Sequence, residues 1–230
     1  MNKPRLLDLF CGAGGAARGY QQAGFYVVGV DNRPQPHYCG DEFYQADALE
    51  FCAANGAEFD AIHASPPCQA YSEATPVSYR PLHPDLIAST RGTLQATGHP
   101  YVIENVESAR GLLINPVLLC GTMFGLPIWR HRYFEISPSV FVLVHPCNHD
   151  RTPVEIDGIK LIIPVLCTGG GDGKRANRKT HRPRGKVRDI RLAMDIDWMV
   201  QAELTEAIPP AYTEYIGRQL LAALAAENSQ

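Results

Sequence analysis

Short apolar runs alternate with segments of helical character along the first half of the chain. Residues 5–10 form an apolar run, residues 16–23 form a helical segment that Gly24 ends, and residues 25–30 form a second apolar run. Further strands are predicted at 43–46, 59–64 and 101–103, and helices at 84–97 and 209–226. This alternation predicts an α/β fold with a doubly wound, mostly parallel sheet.

The second half of the chain has a different pattern. Residues 130–136 alternate basic and apolar side chains, so a strand there would carry Arg130 and Arg132 on one face. Residues 154–162 contain an Asp-Gly pair between apolar runs, which predicts a hairpin. The glycine-rich residues 168–173 and the basic residues after them are too polar to pack, so we expect a mobile loop.

The formal net charge of -3 hides a concentrated basic segment. Nine of the 21 lysine and arginine residues lie between Lys174 and Arg191, where Asp189 is the single acidic residue. The rest of the chain has 12 basic residues against 23 acidic ones. This distribution indicates a polyanionic partner that the protein contacts at one place.

Length and cysteine content narrow the class of protein. The 230 residues suffice for one sizeable core. No apolar stretch is long enough to span a membrane, and the first residues lead into a strand rather than a signal peptide, so we expect a cytoplasmic protein without a membrane partner. Seven cysteines without regular spacing favour a reducing compartment over a disulfide framework.

Reactive and polar side chains follow two of the predicted strands. Residues 66–69 (Pro-Pro-Cys-Gln) follow the strand at 59–64, and residues 104–106 (Glu-Asn-Val) follow the strand at 101–103. In open α/β sheets, ligands bind at the carboxyl ends of the strands. A thiol, a carboxylate and an amide are therefore predicted to lie at that edge, although Cys68 considered alone could equally be a small buried hydrophobic residue.

A glycine turn follows the first strand. Residues 11–15 (Cys-Gly-Ala-Gly-Gly) lie between that strand and the first helix, an order that brings a nucleotide-like ligand to a helix N-terminus. Asp31 ends the second strand, where it is placed to accept hydrogen bonds from ribose hydroxyls. Asp47 ends the third strand. Either carboxylate could instead cap the helix that follows it.

Four motifs occur in a characteristic order, at residues 8–15, 66–69, 104–106 and 130–132. Together they resemble the DNA cytosine-5 methyltransferases, of which this chain would be a short member. Residues 207–212 resemble the last motif of that family, so the resemblance extends over nearly the whole chain. It implies a Rossmann-like methyltransferase fold, S-adenosylmethionine as cofactor, and methylation of carbon 5 of cytosine in DNA.

The resemblance also implies catalytic roles. Cys68 would add to carbon 6 of cytosine, because carbon 5 is a poor nucleophile until the aromaticity is broken. Glu104 would protonate or hydrogen-bond ring nitrogen 3, and Asn105 would orient the loop around it. Arg130 and Arg132 would hold the base carbonyl and neighbouring charged groups. The base would be flipped out of the duplex to reach them. For Glu104 and the arginines, the alternative is a surface ion pair.

The resemblance further implies where the cofactor binds, and the basic segment indicates where DNA binds. The cofactor site would consist of Phe10, Gly12, Gly14, Asp31, Asp47 and Pro66. DNA phosphates would be bound by Lys174, Arg175, Arg178, Lys179, Arg182 and Arg184. The expected division is a catalytic domain at 1–137, a small target-recognition region with the basic loop at 138–200, and a C-terminal segment at 201–230 that returns to the catalytic domain.

Two features depart from the family pattern. Ile128 and Trp129 precede the arginine motif where the family usually has a glutamine. Thr205 and Glu206 stand where a glycine and an asparagine are usual, so Glu206 is given no role. Only residues 133–205 separate these two motifs, which predicts a small recognition region and short or relaxed sequence readout.

Several alternatives remain open at the level of sequence. His145, Cys147 and His149 lack a second ligand group, so we expect no metal. The same chemistry could act on RNA or a pyrimidine nucleotide, but the basic segment argues against a free nucleotide. A catalytically idle DNA-binding module is a further alternative, against which the presence of Cys68 argues. The recognised DNA sequence and a partner restriction nuclease are left open.

Overall fold

The computed structural model describes residues 3–72, 75–139, 143–149, 154–156, 158–161 and 186–227. Its strands are β1 (Arg5–Leu9), β2 (Tyr26–Asp31), β3 (Glu42–Gln45), β4 (Ala61–Ala64), β5 (Tyr101–Asn105), β6 (Val117–Leu119), β7 (Arg132–Ser137), β8 (Val154–Ile156) and β9 (Ile159–Leu161). Its helices are α1 (Gly15–Ala23), α2 (Ala48–Asn55), α3 (Ile87–Thr97), α4 (Val187–Met194), α5 (Gln201–Glu206) and α6 (Pro210–Glu227). The predicted phosphate-binding residues from 174 to 184 lie outside the described ranges.

Seven strands form one sheet in the order β3-β2-β1-β4-β5-β7-β6. Strands β1 to β5 run parallel to one another, whereas β7 runs antiparallel to both β5 and β6. The hairpin of β8 and β9 is separate from this sheet. The predicted α/β fold with a mostly parallel, doubly wound sheet is confirmed.

Helices cover both faces of the sheet. On one face α1 and α6 pack against Leu6 and Val27, and on the other α2 and α3 pack against Leu7 and Val28. Successive strand residues point to opposite faces, so the continuous apolar runs of β1 and β2 supply both cores. The carboxyl edge of the sheet is left to the loops that carry the polar motifs. None of the described helices combines the length and apolar character needed to cross a bilayer.

Gly19 sets the distance between α1 and α6. A Cβ atom at this position would overlap the carbonyl oxygen of Pro210 and the hydroxyl of Thr213. The Thr213 hydroxyl donates a hydrogen bond to the carbonyl of Ala16 at 2.9 Å. The two helices therefore meet through a glycine and a buried hydrogen bond, which brings the last helix close to the glycine turn.

Gly19→Ala is expected to lower the free energy of unfolding by about 1–3 kcal/mol, because the α6 backbone must shift to admit the methyl group. Gly92→Ala in α3 is the matched control: a Cβ there meets no atom within 4 Å, and alanine favours a helix interior by roughly 1 kcal/mol. Urea unfolding followed by circular dichroism measures both variants. Equal stability of Gly19→Ala and the parent protein would contradict the close packing of α1 on α6.

Two of the predictions for the second half of the chain are wrong. The strand expected from residue 130 begins at Arg132, so Arg130 precedes β7 and the two arginines do not share a strand face. The expected mobile segment ends in α4, where Ile190 is buried and Arg191 donates from Nε to the carbonyl of Met199 at 2.9 Å. The end of the basic segment packs because its apolar residues recur at helical spacing, a signal that the surrounding charges concealed.

Candidate active site

The glycine turn joins β1 to α1 at the carboxyl edge of the sheet. Phe10, Gly12 and Gly14 have positive φ angles of 57°, 50° and 85°, so the chain reverses within a few residues. A Cβ at Gly14 would lie 2.9 Å from the sulfur of Cys39, whereas a Cβ at Gly12 would meet no atom within 4 Å. The turn is therefore closely packed at Gly14 and open at Gly12.

Asp31 contacts this turn directly. Its Oδ2 accepts a hydrogen bond from the Gly12 amide at 3.1 Å, and its Oδ1 accepts one from the Arg33 amide at 2.9 Å. The carboxylate is thus held beside the open part of the glycine turn. Backbone amides at a helix start, next to an acid at the end of the neighbouring strand, suit a ligand that contains a ribose.

Two other expected cofactor residues have structural contacts of their own. Asp47 caps α2, since its Oδ1 accepts hydrogen bonds from the amides of Leu49 at 2.9 Å and Glu50 at 3.0 Å. This is the helix-cap arrangement that the sequence left as an alternative, and it engages one of the two carboxylate oxygens. Phe10 is partly buried against the core on the α2 and α3 face of the sheet.

Cys68 lies in the loop that follows β4. Its carbonyl accepts hydrogen bonds from the amides of Tyr71 at 3.0 Å and Ser72 at 2.8 Å, so the chain turns immediately after the thiol. The buried side chain of Asn105, at the end of β5, donates from Nδ2 to the carbonyl of Pro66 at 2.9 Å. This hydrogen bond ties the loop of Cys68 to the neighbouring strand.

Glu104 is buried beside the arginine motif. The Nε of Arg132 lies 2.8 Å from its Oε1, in an ion pair rather than a well-directed hydrogen bond. Burial raises the pKa of Glu104 above its usual value, while Arg132 and then Arg130 act in the opposite direction. Because burial has the larger effect, the protonated carboxyl is favoured more than in an exposed glutamate.

The two arginines hold different parts of the chain. Arg132 donates from Nη1 to the carbonyl of His131 at 2.8 Å, in addition to its ion pair with the glutamate. Arg130 is buried and donates from Nη2 to the carbonyl of Thr205 at 2.7 Å. The carbonyl of Arg130 accepts a hydrogen bond from the hydroxyl of Tyr212 at 2.6 Å. Arg130 therefore fastens the C-terminal segment to the site.

The charges of Glu104 and Arg132 also affect the pKa of the Cys68 thiol. Burial raises its pKa, Glu104 raises that pKa further, and Arg132 lowers it. Glu206 also raises the pKa of Cys68, which places this C-terminal carboxylate in the electrostatic environment of the thiol. Protonation of Glu104 removes one of the negative charges that oppose ionisation of Cys68, and it thereby favours the nucleophilic thiolate.

Comparison with known proteins connects this arrangement to a family. Residues 4–79 match the family model described as C-5 cytosine-specific DNA methylase. The predicted resemblance is confirmed. The matched segment includes the glycine turn and Cys68, and it ends before Glu104. No curated protein sequence gives a significant match.

Three solved structures share the methyltransferase fold over nearly the whole chain. A candidate DNA modification methyltransferase encoded within an E. coli prophage is 17% identical, with a TM-score of 0.58. The superposition covers 97% of this chain and 100% of that one. The S. pombe Dnmt2 methyltransferase is 15% identical, with a TM-score of 0.59 and coverage of 97% and 99%. The Entamoeba histolytica methyltransferase EhMeth is 11% identical, with a TM-score of 0.58 and coverage of 97% and 99%.

A buried network of hydrogen bonds reaches Glu104, and the sequence motifs did not indicate it. The Nδ1 of His63 lies 2.9 Å from the hydroxyl of Tyr20, and its Nε2 lies 2.9 Å from the hydroxyl of Ser65. Ser65 in turn hydrogen-bonds Glu104 and lowers the pKa of that carboxyl. Burial lowers the pKa of His63 to about 3, so the imidazole is neutral. The single histidine within the apolar residues of β4 is the sequence signal that could have revealed this hydrogen-bond network.

The C-terminal region also reaches the glycine turn. Trp198 donates from Nε1 to the carbonyl of Ala13 at 2.9 Å, and the guanidinium of Arg18 lies 5.0 Å from the centre of its ring. Below the turn, burial and then Asp31 raise the pKa of Asp8 well above its ordinary value. These contacts join residues far apart in sequence, and no local motif predicts them.

Proposed function

We propose that this protein methylates carbon 5 of cytosine in DNA, with S-adenosylmethionine as the methyl donor. The observation that carries the proposal is the position of Cys68 and the buried Glu104 at the carboxyl ends of two adjacent parallel strands, whose loops Asn105 joins through the carbonyl of Pro66. The family model matched by residues 4–79 is described as a cytosine-specific DNA methylase, which supports DNA as the substrate.

Cys68 supplies the nucleophile in this proposal. After its proton has left, the sulfur forms a bond to carbon 6 of a flipped cytosine, and electron density moves toward ring nitrogen 3. Glu104 donates its proton there, and Arg132 balances the carboxylate that remains. Because the negative charge of Glu104 raises the pKa of Cys68, ionisation of the thiol depends on the protonation of Glu104. Carbon 5 would then take the methyl group from the sulfonium of the donor, which would leave as the neutral thioether. Loss of the carbon 5 proton would expel the sulfur of Cys68 and return the proton of ring nitrogen 3 to Glu104.

S-adenosylmethionine, when bound, supplies an electrophilic methyl group. The open glycine turn at Gly12 and the carboxylate of Asp31 fit its ribose and amino acid portions, because they offer backbone donors beside a held acceptor. Phe10 and Gly14 shape the same turn, and Pro66 would contact the cofactor from the loop of Cys68. Asp47 would contribute to adenine binding through the oxygen that does not cap α2.

Asp31→Ala is expected to weaken binding of S-adenosylmethionine by about 1–3 kcal/mol, because the ribose hydroxyls of the ligand and the amide of Gly12 lose their hydrogen-bond acceptor. Isothermal titration calorimetry without DNA measures this change. Glu58→Ala is the control, since Glu58 is exposed and lies before β4, at the amino edge of the sheet. Unchanged affinity in Asp31→Ala would remove Asp31 from the cofactor site.

The remaining parts of the proposal rest on the sequence. DNA phosphates would be bound by the basic residues between 174 and 184, and residues 138–200 would recognise the target. Arg188 belongs to the same basic segment of the sequence, is exposed at the start of α4 and would add a further contact to phosphate. A cytoplasmic location, where DNA is accessible, belongs to the same proposal.

Incubation with labelled S-adenosylmethionine and separate pools of DNA, RNA and pyrimidine nucleotides tests the proposed function. We expect label in DNA, at carbon 5 of cytosine after nucleoside hydrolysis, and no label with Cys68→Ala. Label in RNA alone would keep the chemistry and change the substrate. Binding of DNA without any transfer would support the idle binding module and overturn the enzymatic proposal.

A further inference from the structure

Four potential metal ligands from three separate segments meet beside the arginine motif. They are Cys120 after β6, His131 before β7, and Cys147 and His149 in the segment 143–149. Their ligand atoms all lie within 4.8 Å of one another. His145, which the sequence placed with the last two residues, is not a member. The group that looked incomplete in sequence thus gains two ligands from elsewhere in the fold.

The distances within this group match those of a tetrahedral metal site. The Nε2 atoms of His131 and His149 are 3.1 Å apart. Sulfur-to-nitrogen distances are 3.5 Å from Cys120 to His149 and 3.9 Å from Cys147 to His131. With bonds of about 2.3 Å to sulfur and about 2.0 Å to nitrogen, a tetrahedral zinc site places two nitrogens about 3.3 Å apart and sulfur and nitrogen about 3.5 Å apart.

We propose that Cys120, His131, Cys147 and His149 bind one Zn²⁺ ion. Two thiolates and two imidazoles complete a four-coordinate site with no position left for substrate, which is the pattern of a structural zinc rather than a catalytic one. Binding releases the two thiol protons to solvent, and the two thiolate charges neutralise the ion. The Cys-x-His pair is closer in sequence than most zinc-ligand pairs, which explains why spacing alone did not reveal the site.

Neighbouring groups orient the ligands toward a common point. The Nδ1 of His131 lies 3.6 Å from a carboxylate oxygen of Glu107, so its Nε2 is left as the metal ligand, as in carboxylate–histidine–zinc arrangements. The hydroxyl of Thr122 donates to the sulfur of Cys120 at 3.4 Å. The ring of Trp129 stacks on His149 with centroids 4.6 Å apart. Such supporting contacts are expected around a metal site and not around a chance cluster.

The position of the site indicates its purpose. His131 lies between Arg130 and Arg132, and the other ligands come from the end of β6 and from a segment that follows β7. An ion held by all four would fasten these segments to the start of β7 and fix the backbone of both arginines. Zinc binding itself requires no methyl transfer, so the site can be tested without an activity assay.

The first test is metal analysis of protein purified under reducing conditions, without chelators and with any affinity tag removed. Inductively coupled plasma mass spectrometry should find about one zinc per chain. Cys147→Ala and His149→Ala should bind added zinc at least about 100-fold more weakly, and Glu107→Gln about 10-fold more weakly. His145→Ala is the matched control from the same segment and should keep its zinc.

A second test does not depend on whether the variants fold. Replacement of the metal by Co²⁺ in the parent protein should produce the visible absorption of tetrahedral cobalt together with a thiolate charge-transfer band. Absence of the thiolate band, zinc affinity that is the same in Cys147→Ala as in the parent, or a disulfide between Cys120 and Cys147 in the reduced preparation would each overturn the proposal. Stoichiometric iron in place of zinc would overturn the choice of metal.

Discussion

Cys68→Ala is expected to lower kcat for methyl transfer by at least roughly 10⁴-fold, because the variant lacks the sulfur that makes the bond to carbon 6 and activates the ring. The loop itself should keep its conformation, since Asn105 holds it through the carbonyl of Pro66 rather than through the thiol. Binding of S-adenosylmethionine should therefore be preserved. Single-turnover assays with labelled cofactor measure the loss, and calorimetry measures the binding.

Cys52→Ala is the control for this variant. Cys52 is buried in α2, so its replacement tests the effect of removing a buried thiol at a distance from the catalytic loop. It should retain full turnover, with at most a small loss of stability. Substantial turnover by Cys68→Ala would refute the nucleophile assignment, whereas equal losses in both variants would show a general effect on folding.

Glu104→Gln is expected to lower kcat by about 10²–10⁴-fold, the usual contribution of a general acid. The amide keeps the shape of the side chain, but it cannot deliver a proton to ring nitrogen 3. The same change removes a negative charge that raises the pKa of Cys68. Glu104→Gln should therefore combine slower methyl transfer with a more readily ionised thiol.

The pH dependence of alkylation at Cys68 separates these two effects. Since burial and Glu104 raise the pKa of Cys68 and Arg132 lowers it, the alkylation profile should move to lower pH in Glu104→Gln and to higher pH in Arg132→Leu. Iodoacetamide labelling, read peptide by peptide in the mass spectrometer, reports on this cysteine alone. Shifts in the same direction in both variants would contradict the described electrostatics.

Features that depend on neighbouring residues could be predicted from the sequence. The strand, glycine turn and helix around Gly12 are adjacent in the chain, and so are the apolar run and the loop that bears Cys68. Parallel strands bring their carboxyl ends to one edge, so a thiol that follows β4 and a carboxylate at the end of β5 had to lie near each other. The fold class followed from the same alternation.

Features that depend on distant residues could not be predicted in the same way. Arg130 precedes its strand and binds Thr205, 75 residues later in the chain. His63 joins Tyr20 and Ser65 in a chain of hydrogen bonds that reaches Glu104, and no motif spans such positions. The zinc-ligand group shows the same limit, because only the packing of β6 against β7 brings Cys120 to His131.

Covalent trapping tests the central claim most directly. DNA that carries 5-fluorocytosine at its cytosines should, with S-adenosylmethionine, form a complex that survives denaturation, because fluorine cannot leave carbon 5 as the proton does and Cys68 cannot be released. Peptide mapping should place the modified base on Cys68. A complex that forms equally well with Cys68→Ala, or methyl transfer to normal DNA without any trapped complex, would contradict the account.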